Sequence, residues 1–419
     1  MGTARAGLLS GYRVVEVGDP AAMFAGKLLG DMGCDVLRIE PPGAERWPSE
    51  PPRVPWNGGE ASALWLAYNT SKRSVALDVT RPEGRALLDK LIDAADVVIA
   101  SAAPTWLEAQ RLRPVDLREH SQPARAKLVA VAITPFGLTG PRRDWPGGDL
   151  ILQAAGGMLF LNGNEDRAPV RISEETCWAQ AGSQAGFVAS AALFSAQRDG
   201  VGEGIDLSAH EAIEAALVDA VPWWQHLGRV KPRRTFSGYG DIAIPTVWPC
   251  RDGYVCYRLS VGKRLGLRTL KLVEWMVEEG MDDGLKNVDW EAISTLTLSQ
   301  AVADSYVQRI ERFFRTKTRE ELYAGAVKRY MILFPVAELS DMRDDSQMRS
   351  RGFFVPLADA RGGTALYPGP LFRVRGAQGL DPHPSAPSPV GADTADVLAE
   401  MAGVDGAALA RLRSQGVVS

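Results

Sequence analysis

The chain has 419 residues, 46% hydrophobic and 23% charged, a globular composition with length for two domains. A net charge of −4 shows no basic excess, so nucleic acid is not an expected partner. No run reaches the ~18 apolar residues of a membrane helix, and Met1 to Arg5 lacks a signal peptide's apolar core, so a cytoplasmic chain is expected.

Tyr12 to Val17 reads as a short apolar strand, broken by Gly18-Asp19-Pro20. Ala21 to Met32 is a small-residue helix closed by Gly33, and Asp35 to Glu40 is the next strand. The βαβ pattern recurs with a strand at Ser74–Asp78, a helix from Thr80 to Ala95, and strands at Asp96–Ala100 and Lys127–Ile133. This alternation predicts an α/β fold with a doubly wound sheet. There is no G-x-G-x-x-G fingerprint. The Gly18 turn still brings a helix N-terminus to a strand end, which suits an anionic phosphate or is a plain βα turn. Further on come an apolar helix at Val188–Phe194 and a strand at Ile205–Ser208. From about residue 221 the chain is loop-rich and aromatic, through Pro222-Trp223-Trp224, Phe236 to Gly240 and Pro245 to Pro249. A strand at Gly253–Leu259 and charged helical patterns to about residue 330 suggest a smaller second domain. Val336 opens a return segment, with short strands at Pro356-Leu357 and Phe372–Val374. Pro382 to Pro389 reads as an extended linker, and helices at Thr394–Ala402 and Gly406–Ser414 end the chain.

Cys34, Cys177, Cys250 and Cys256 have no metal or redox spacing and read as free thiols. The histidines form no H-x-x-x-H pair, so no metal site is expected.

Several motifs lie in order along the chain. They are Gly30-Asp31-Met32-Gly33 running on to Glu40, Asn69 to Asp78, Asp96-Val97-Val98-Ile99, Phe136-Gly137-Leu138-Thr139-Gly140-Pro141, and Gly148 to Gly157. A worn motif spans Ala386 to Leu398. Together they resemble the family III CoA-transferases, the group of formyl-CoA transferase, carnitine-CoA transferase and α-methylacyl-CoA racemase. The resemblance implies a large doubly wound domain built from both chain ends, a small central domain and an interlocked dimer. It divides the chain into 1–220, the small domain with its linkers at 221–335, and a completing segment at 336–419. It implies CoA or acyl-CoA as substrate, a carboxylic acid as the other reactant, and no tightly bound cofactor. Lys72, Arg73, Ala22 and Ser101 become the expected CoA contacts. Gly238-Tyr239-Gly240 is a thin version of the family's glycine-rich loop.

The resemblance places an aspartate nucleophile four residues before Gly182, where this chain has Trp178. An indole cannot form an acyl anhydride. Ser101-Ala102 replaces an Asn-Phe pair beside CoA, and Pro41 stands where relatives often carry a basic residue. The racemase pair would need a histidine at Gly148 and an aspartate at Trp178, so neither partner of that acid/base couple is present. Glu174, Glu175 and Asp149 remain as carboxylates that could substitute. For the two glutamates the plainer role is a helix N-terminus capped by Ser173. The expected function is therefore a CoA-transferase subunit without its own nucleophile, beside an aspartate-bearing paralogous partner. The alternatives are a repurposed acyl-CoA enzyme (lyase, dehydratase or cyclase) with Trp178, Trp223 and Trp224 lining an apolar pocket, or a homodimeric transferase using Glu174 or Glu175.

Overall fold

The apolar strands assemble into one parallel sheet. In chain order they are β1 (Arg13–Gly18), β2 (Asp35–Glu40), a separate hairpin of β3 (Arg53–Trp56) and β4 (Gly59–Ser62), then β5 (Lys72–Ala76), β6 (Val97–Ser101), β7 (Val129–Thr134) and β8 (Gly204–Ser208). The six sheet strands lie in the order β5-β2-β1-β6-β7-β8, all parallel. The computed structural model describes residues 7–18, 20–43, 50–119, 125–173, 175–217, 219–233, 236–239, 242–294, 297–359, 361–369, 371–376 and 380–419.

β6 and β7 are buried along their whole length, as unbroken apolar runs in a sheet covered on both faces require. Successive side chains alternate between the faces. Val14, Val36, Val97 and Val131 pack under the helices Pro20–Asp31 and Thr176–Asp199. Val15, Leu37, Val98 and Ala130 pack against Pro82–Asp93 and the two C-terminal helices.

The C-terminal segment also covers the edge strand β5. Ser74 N donates to Asp393 (2.8 Å) and Ala76 N to Thr394 Oγ1 (2.9 Å), so these outward amides are not left open. Pro382–Pro389 is extended but tethered: His383 N donates to Asp31 O (3.0 Å), and Ser71 N to Ser385 O (3.0 Å).

Contacts divide the chain into two units: Met1–Leu159 with Arg171–Pro222 and Ser346–Ser419, and Phe160–Val170 with Trp223–Asp345. The short piece Phe160–Val170 joins the second unit because the Arg233 guanidinium gathers the carbonyls of Phe160 (3.2 Å), Asn164 (2.8 Å) and Arg167 (2.7 Å). The second unit holds a hairpin of β9 (Phe236–Tyr239) and β10 (Ile242–Pro245), and an antiparallel sheet of β11 (Val247–Cys250), β12 (Gly253–Tyr257) and β13 (Leu333–Pro335). Trp248, Phe313 and Phe314 fill its core. A last hairpin, β14 (Phe354–Ala358) with β15 (Thr364–Pro368), belongs to the first unit.

Three expectations are corrected. Trp223 and Trp224 lie in a helix, Ala220–Leu227, not a loop. Val247–Pro249 is strand, because Trp248 needs the interior. Phe372–Val374 has no strand partner. In the glycine-rich loop, Gly238 and Tyr239 fall in β9, and Gly240 lies outside the described residues.

Candidate functional site

Strand order reverses between β1 and β6, the place where doubly wound sheets open a crevice at their carboxyl ends. Gly18 closes β1 and Ser101 closes β6. Gly18 has φ +112°, and a Cβ there would sit 1.9 Å from Ser101 O, so the turn requires glycine. Beside it opens a cavity of about 380 Å³, lined among others by Ser101, Pro104, Ile133, Pro135, Trp145 and Trp178. Ser101 is 2% exposed, and its Oγ has no hydrogen-bond partner among the described residues. No cationic side chain lines the cavity among the described residues; Asp144 carries its only lining charge.

Trp178 reaches this cavity from the first turn of the helix Thr176–Asp199. It is 7% exposed. The helix is set against Pro20–Asp31 by a face of Ala181, Gly182, Ala185, Gly186 and Ala189. Its N-cap is Glu175, held at φ +59°, and not Ser173 as expected. The true capping group comes from outside the helix. Asp149 Oδ1 accepts from Cys177 N (2.8 Å), while Oδ2 accepts from Gln153 (2.7 Å) and lies 3.3 Å from Arg171. Gln153 Oε1 in turn accepts from Ile172 N (3.0 Å). The pair Asp149/Gln153 is thus a clamp that fixes the chain leading to Trp178. The Asp149 side chain is 3% exposed, and both its oxygens are engaged by protein partners. Among the other carboxylates considered, Glu175 stands half-buried just before the helix, and Glu174 lies outside the described residues. Cys177 offers no alternative, since burial and then Asp149 push its thiol up to about 12. Burial, with Glu175 and Asp149 behind it, pushes the neighbouring Tyr68 phenol up to about 12 as well.

The expected CoA contacts separate. Ser101 lines the cavity. Ala22 is fully buried in the apolar layer under the sheet. Lys72 turns inward: its Nζ lies 2.8 Å from a Glu16 carboxylate oxygen and donates to Met23 O (2.7 Å) and Asn69 Oδ1 (2.9 Å). Burial lowers this ammonium to about 8. Arg73 pairs with Asp35 (2.6 Å) and Glu400 (3.0 Å), joining β5 to a C-terminal helix. In this structure both cations hold protein partners. Trp223 and Trp224 are not among the cavity's lining residues. Sequence reading missed Trp145, whose only signal was its place just after the Phe136–Pro141 turn. Its indole carries the Arg142 guanidinium 5.2 Å from the ring centroid and meets Phe136 edge-on at 6.3 Å. Among the described residues, no group of three or more His, Cys, Asp or Glu side chains is placed to hold a metal ion, and no helix is long and apolar enough to cross a membrane.

The family model described as CoA-transferase family III matches residues 9–394. Over 372 residues the chain is 30% identical to succinyl-CoA:(R)-benzylsuccinate CoA-transferase subunit BbsE of Thauera aromatica, covering 86% of each chain. It is 26% identical over 420 residues to the succinyl-CoA–L-malate CoA-transferase alpha subunit of Chloroflexus aurantiacus, covering 98% of this chain and 92% of the relative. Among solved structures it resembles a CAIB/BAIF family protein from Brucella suis with a TM-score of 0.80 at 23% identity, over 95% of this chain and 100% of that one.

Proposed function

Because the chain belongs to CoA-transferase family III, we propose that it serves as the subunit without a nucleophile in a heteromeric CoA-transferase. The reaction is exchange of CoA between a thioester and a carboxylic acid, and the thioester approaches the cavity at Ser101 and Trp178. The observation that carries the reading is the indole of Trp178 on the cavity wall, one turn into a helix clamped by Asp149. The groups around it support the same view: Asp149 is saturated and the Cys177 thiol is held protonated. Two of the relatives are themselves described as subunits.

In this reading an aspartate of the partner chain attacks the thioester carbonyl and expels CoA thiolate, giving a mixed anhydride. The thiolate attacks the aspartyl carbonyl of that anhydride, releasing the donor acid and leaving an aspartyl-CoA thioester. The acceptor carboxylate then attacks this thioester and expels CoA thiolate, giving a second anhydride, and the thiolate attacks its acceptor acyl carbonyl, forming the new CoA ester and freeing the aspartate. This chain contributes the apolar wall and an interface, and the two chains interlock.

Intact-protein mass spectrometry after incubation with acyl-CoAs tests the proposal. Alone, the chain forms no hydroxylamine-sensitive adduct; with an aspartate-bearing paralogue, the adduct appears on the partner. An adduct on this chain, lost in Glu174→Gln or Glu175→Gln, overturns the reading and makes the chain a transferase by itself.

A further inference from the structure

We infer that His210 is a positioning residue for Trp145: its imidazole supports Phe136, Phe136 supports the indole, and protonation of His210 beside Glu214 tightens that stack. That Trp145 matters to a thioester rests on the reading proposed above; the stack itself does not.

The three rings stand in series. Phe136 meets His210 with 5.5 Å between ring centroids and a tilt of 49°. On its other side it meets Trp145 edge-on, at 6.3 Å and 80°. The backbone repeats the link, since His210 N donates to Pro135 O (3.0 Å), and Pro135 lines the cavity together with Trp145. Other ties hold the turn at its backbone and its far end. Asp206 accepts from Leu138 N with both oxygens (3.1 and 3.0 Å), and Arg143 reaches Glu108 (2.6 Å). The Phe136 ring itself is placed between His210 and Trp145.

The imidazole has one carboxylate within ion-pair distance among the described residues. Glu214, one turn further along the helix Ala209–Glu214, brings Oε1 to 3.4 Å from His210 Nε2. The buried Nε2 makes no hydrogen bond among the described residues. A neutral imidazole tolerates this as its unprotonated nitrogen, whereas imidazolium carries a proton on both nitrogens and needs an acceptor there. The Glu214 side chain is half-exposed and can rotate inward to accept it. Charges on the surrounding elements are directed elsewhere. Asp206 on β8 serves Leu138 N, and Asp149 on the helix Asp149–Ala155 serves Cys177, Gln153 and Arg171. The helix Thr176–Asp199 reaches this one through Gln184, which donates to Ala212 O (3.2 Å), while its own Arg198 and Asp199 pair with each other. In the turn, Arg142 lies over Trp145 and Asp144 is 3.7 Å from Arg143. Glu211 on the same helix is exposed. An imidazolium held by Glu214 also sets a cation within the about 6 Å over which a cation and a ring attract. The stack is therefore firmer with His210 charged than with it neutral.

Tryptophan emission of the full chain between about pH 5 and 8, where imidazoles titrate, tests this. The chain has 11 tryptophans, so the Trp145 signal is the difference between each protein and the same protein carrying Trp145→Phe. In the wild type that difference is expected to change in one step, shifting to the red toward alkaline pH as the stack loosens. His210→Phe keeps a ring under Phe136 and abolishes the step. His210→Ala removes the ring and shifts the emission to the red at every pH. Glu214→Gln lowers the amplitude of the step. Absence of the step in the wild type, its persistence in His210→Phe, or wild-type emission in His210→Ala each overturns the inference. Circular dichroism verifies that the variants are folded, and His210→Phe fills the space that His210→Ala empties. No partner or ligand is present in the measurement, so its failure leaves the subunit reading standing, and failure of the mass-spectrometric test leaves this one standing.

Discussion

Asp149 shows how one side chain can order the chain that leads into a site. Its carboxylate takes up the Cys177 amide, the Gln153 amide and the Arg171 charge in one buried place. Removing it strands the buried Cys177 N–H, so the loss is set by desolvation and not by the bond count. Asp149→Ala is expected to destabilise the chain by roughly 1–3 kcal/mol, read as a shift in urea midpoint at unchanged slope. Asp149→Asn keeps one oxygen to accept from Cys177 N and should recover part of that loss. Equal midpoints for the wild type and Asp149→Ala would show that the helix needs no external cap. Sequence had placed Asp149 among candidate nucleophiles, because a carboxylate near the expected catalytic position is visible in a string of letters. Its saturation is not visible there, since the groups it serves lie as far as 28 residues away.

The pairing of Pro20–Asp31 with Thr176–Asp199 depends on small residues where the helices touch. At Gly182 a Cβ would lie 2.5 Å from Ala21 O and 3.0 Å from the Phe24 side chain. Backbone cannot yield as a flexible side chain does, so Gly182→Val forces the helices apart and should cost about 1–3 kcal/mol as an overpacked contact. At Gly186 the nearest atom to an added Cβ is the Leu28 Cδ1 at 3.2 Å, the end of a rotatable side chain. Gly186→Ala should therefore change the thermal midpoint far less than Gly182→Val. A reversed order in scanning calorimetry would remove this contact as the determinant. The strands of this layer were legible because burial on both faces writes a continuous apolar run, as Val97–Ser101 and Val129–Thr134 show. The helix start was not. Local rules look for a capping side chain within a residue or two, and pointed to Ser173. Here the chain turns through a left-handed Glu175 and borrows its cap from Asp149, a partner that only the fold brings near. The burial of Lys72 was hidden for the same reason, since a lysine beside a strand start reads as surface until the Glu16 carboxylate is seen beneath it.

Both ends of the chain build the larger unit, and the dependence is energetic as well as topological. Val397, Leu398, Leu412 and Val417 from the last segment are buried in the layer that also holds Val15, Leu37 and Val98. Each such side chain contributes about 1.5–3 kcal/mol when fully buried. Four of them therefore rival the roughly 5–15 kcal/mol by which a domain is stable at all. The same segment also satisfies the outward amides of Ser74 and Ala76 on β5, which would otherwise form an open parallel edge. A chain cut after Pro389 loses the apolar cover and the edge partners together. It is expected to show no cooperative thermal transition and to associate through the uncovered edge, seen as early elution in size exclusion and loss of near-ultraviolet circular dichroism. Arg73→Ala is the matched control, because it removes the half-exposed tie to Glu400 while leaving the apolar cover in place, and surface ion pairs contribute about 0–1 kcal/mol. If the truncated chain melts as sharply as Arg73→Ala, the C-terminal helices are an appendage, and the sheet is complete without them. If only the truncation loses its transition, the central unit is an insertion into a fold that closes when its last residues arrive. The cavity at Ser101 and Trp178 then exists only in the finished chain, because its walls stand on β6 and β7 of that same sheet.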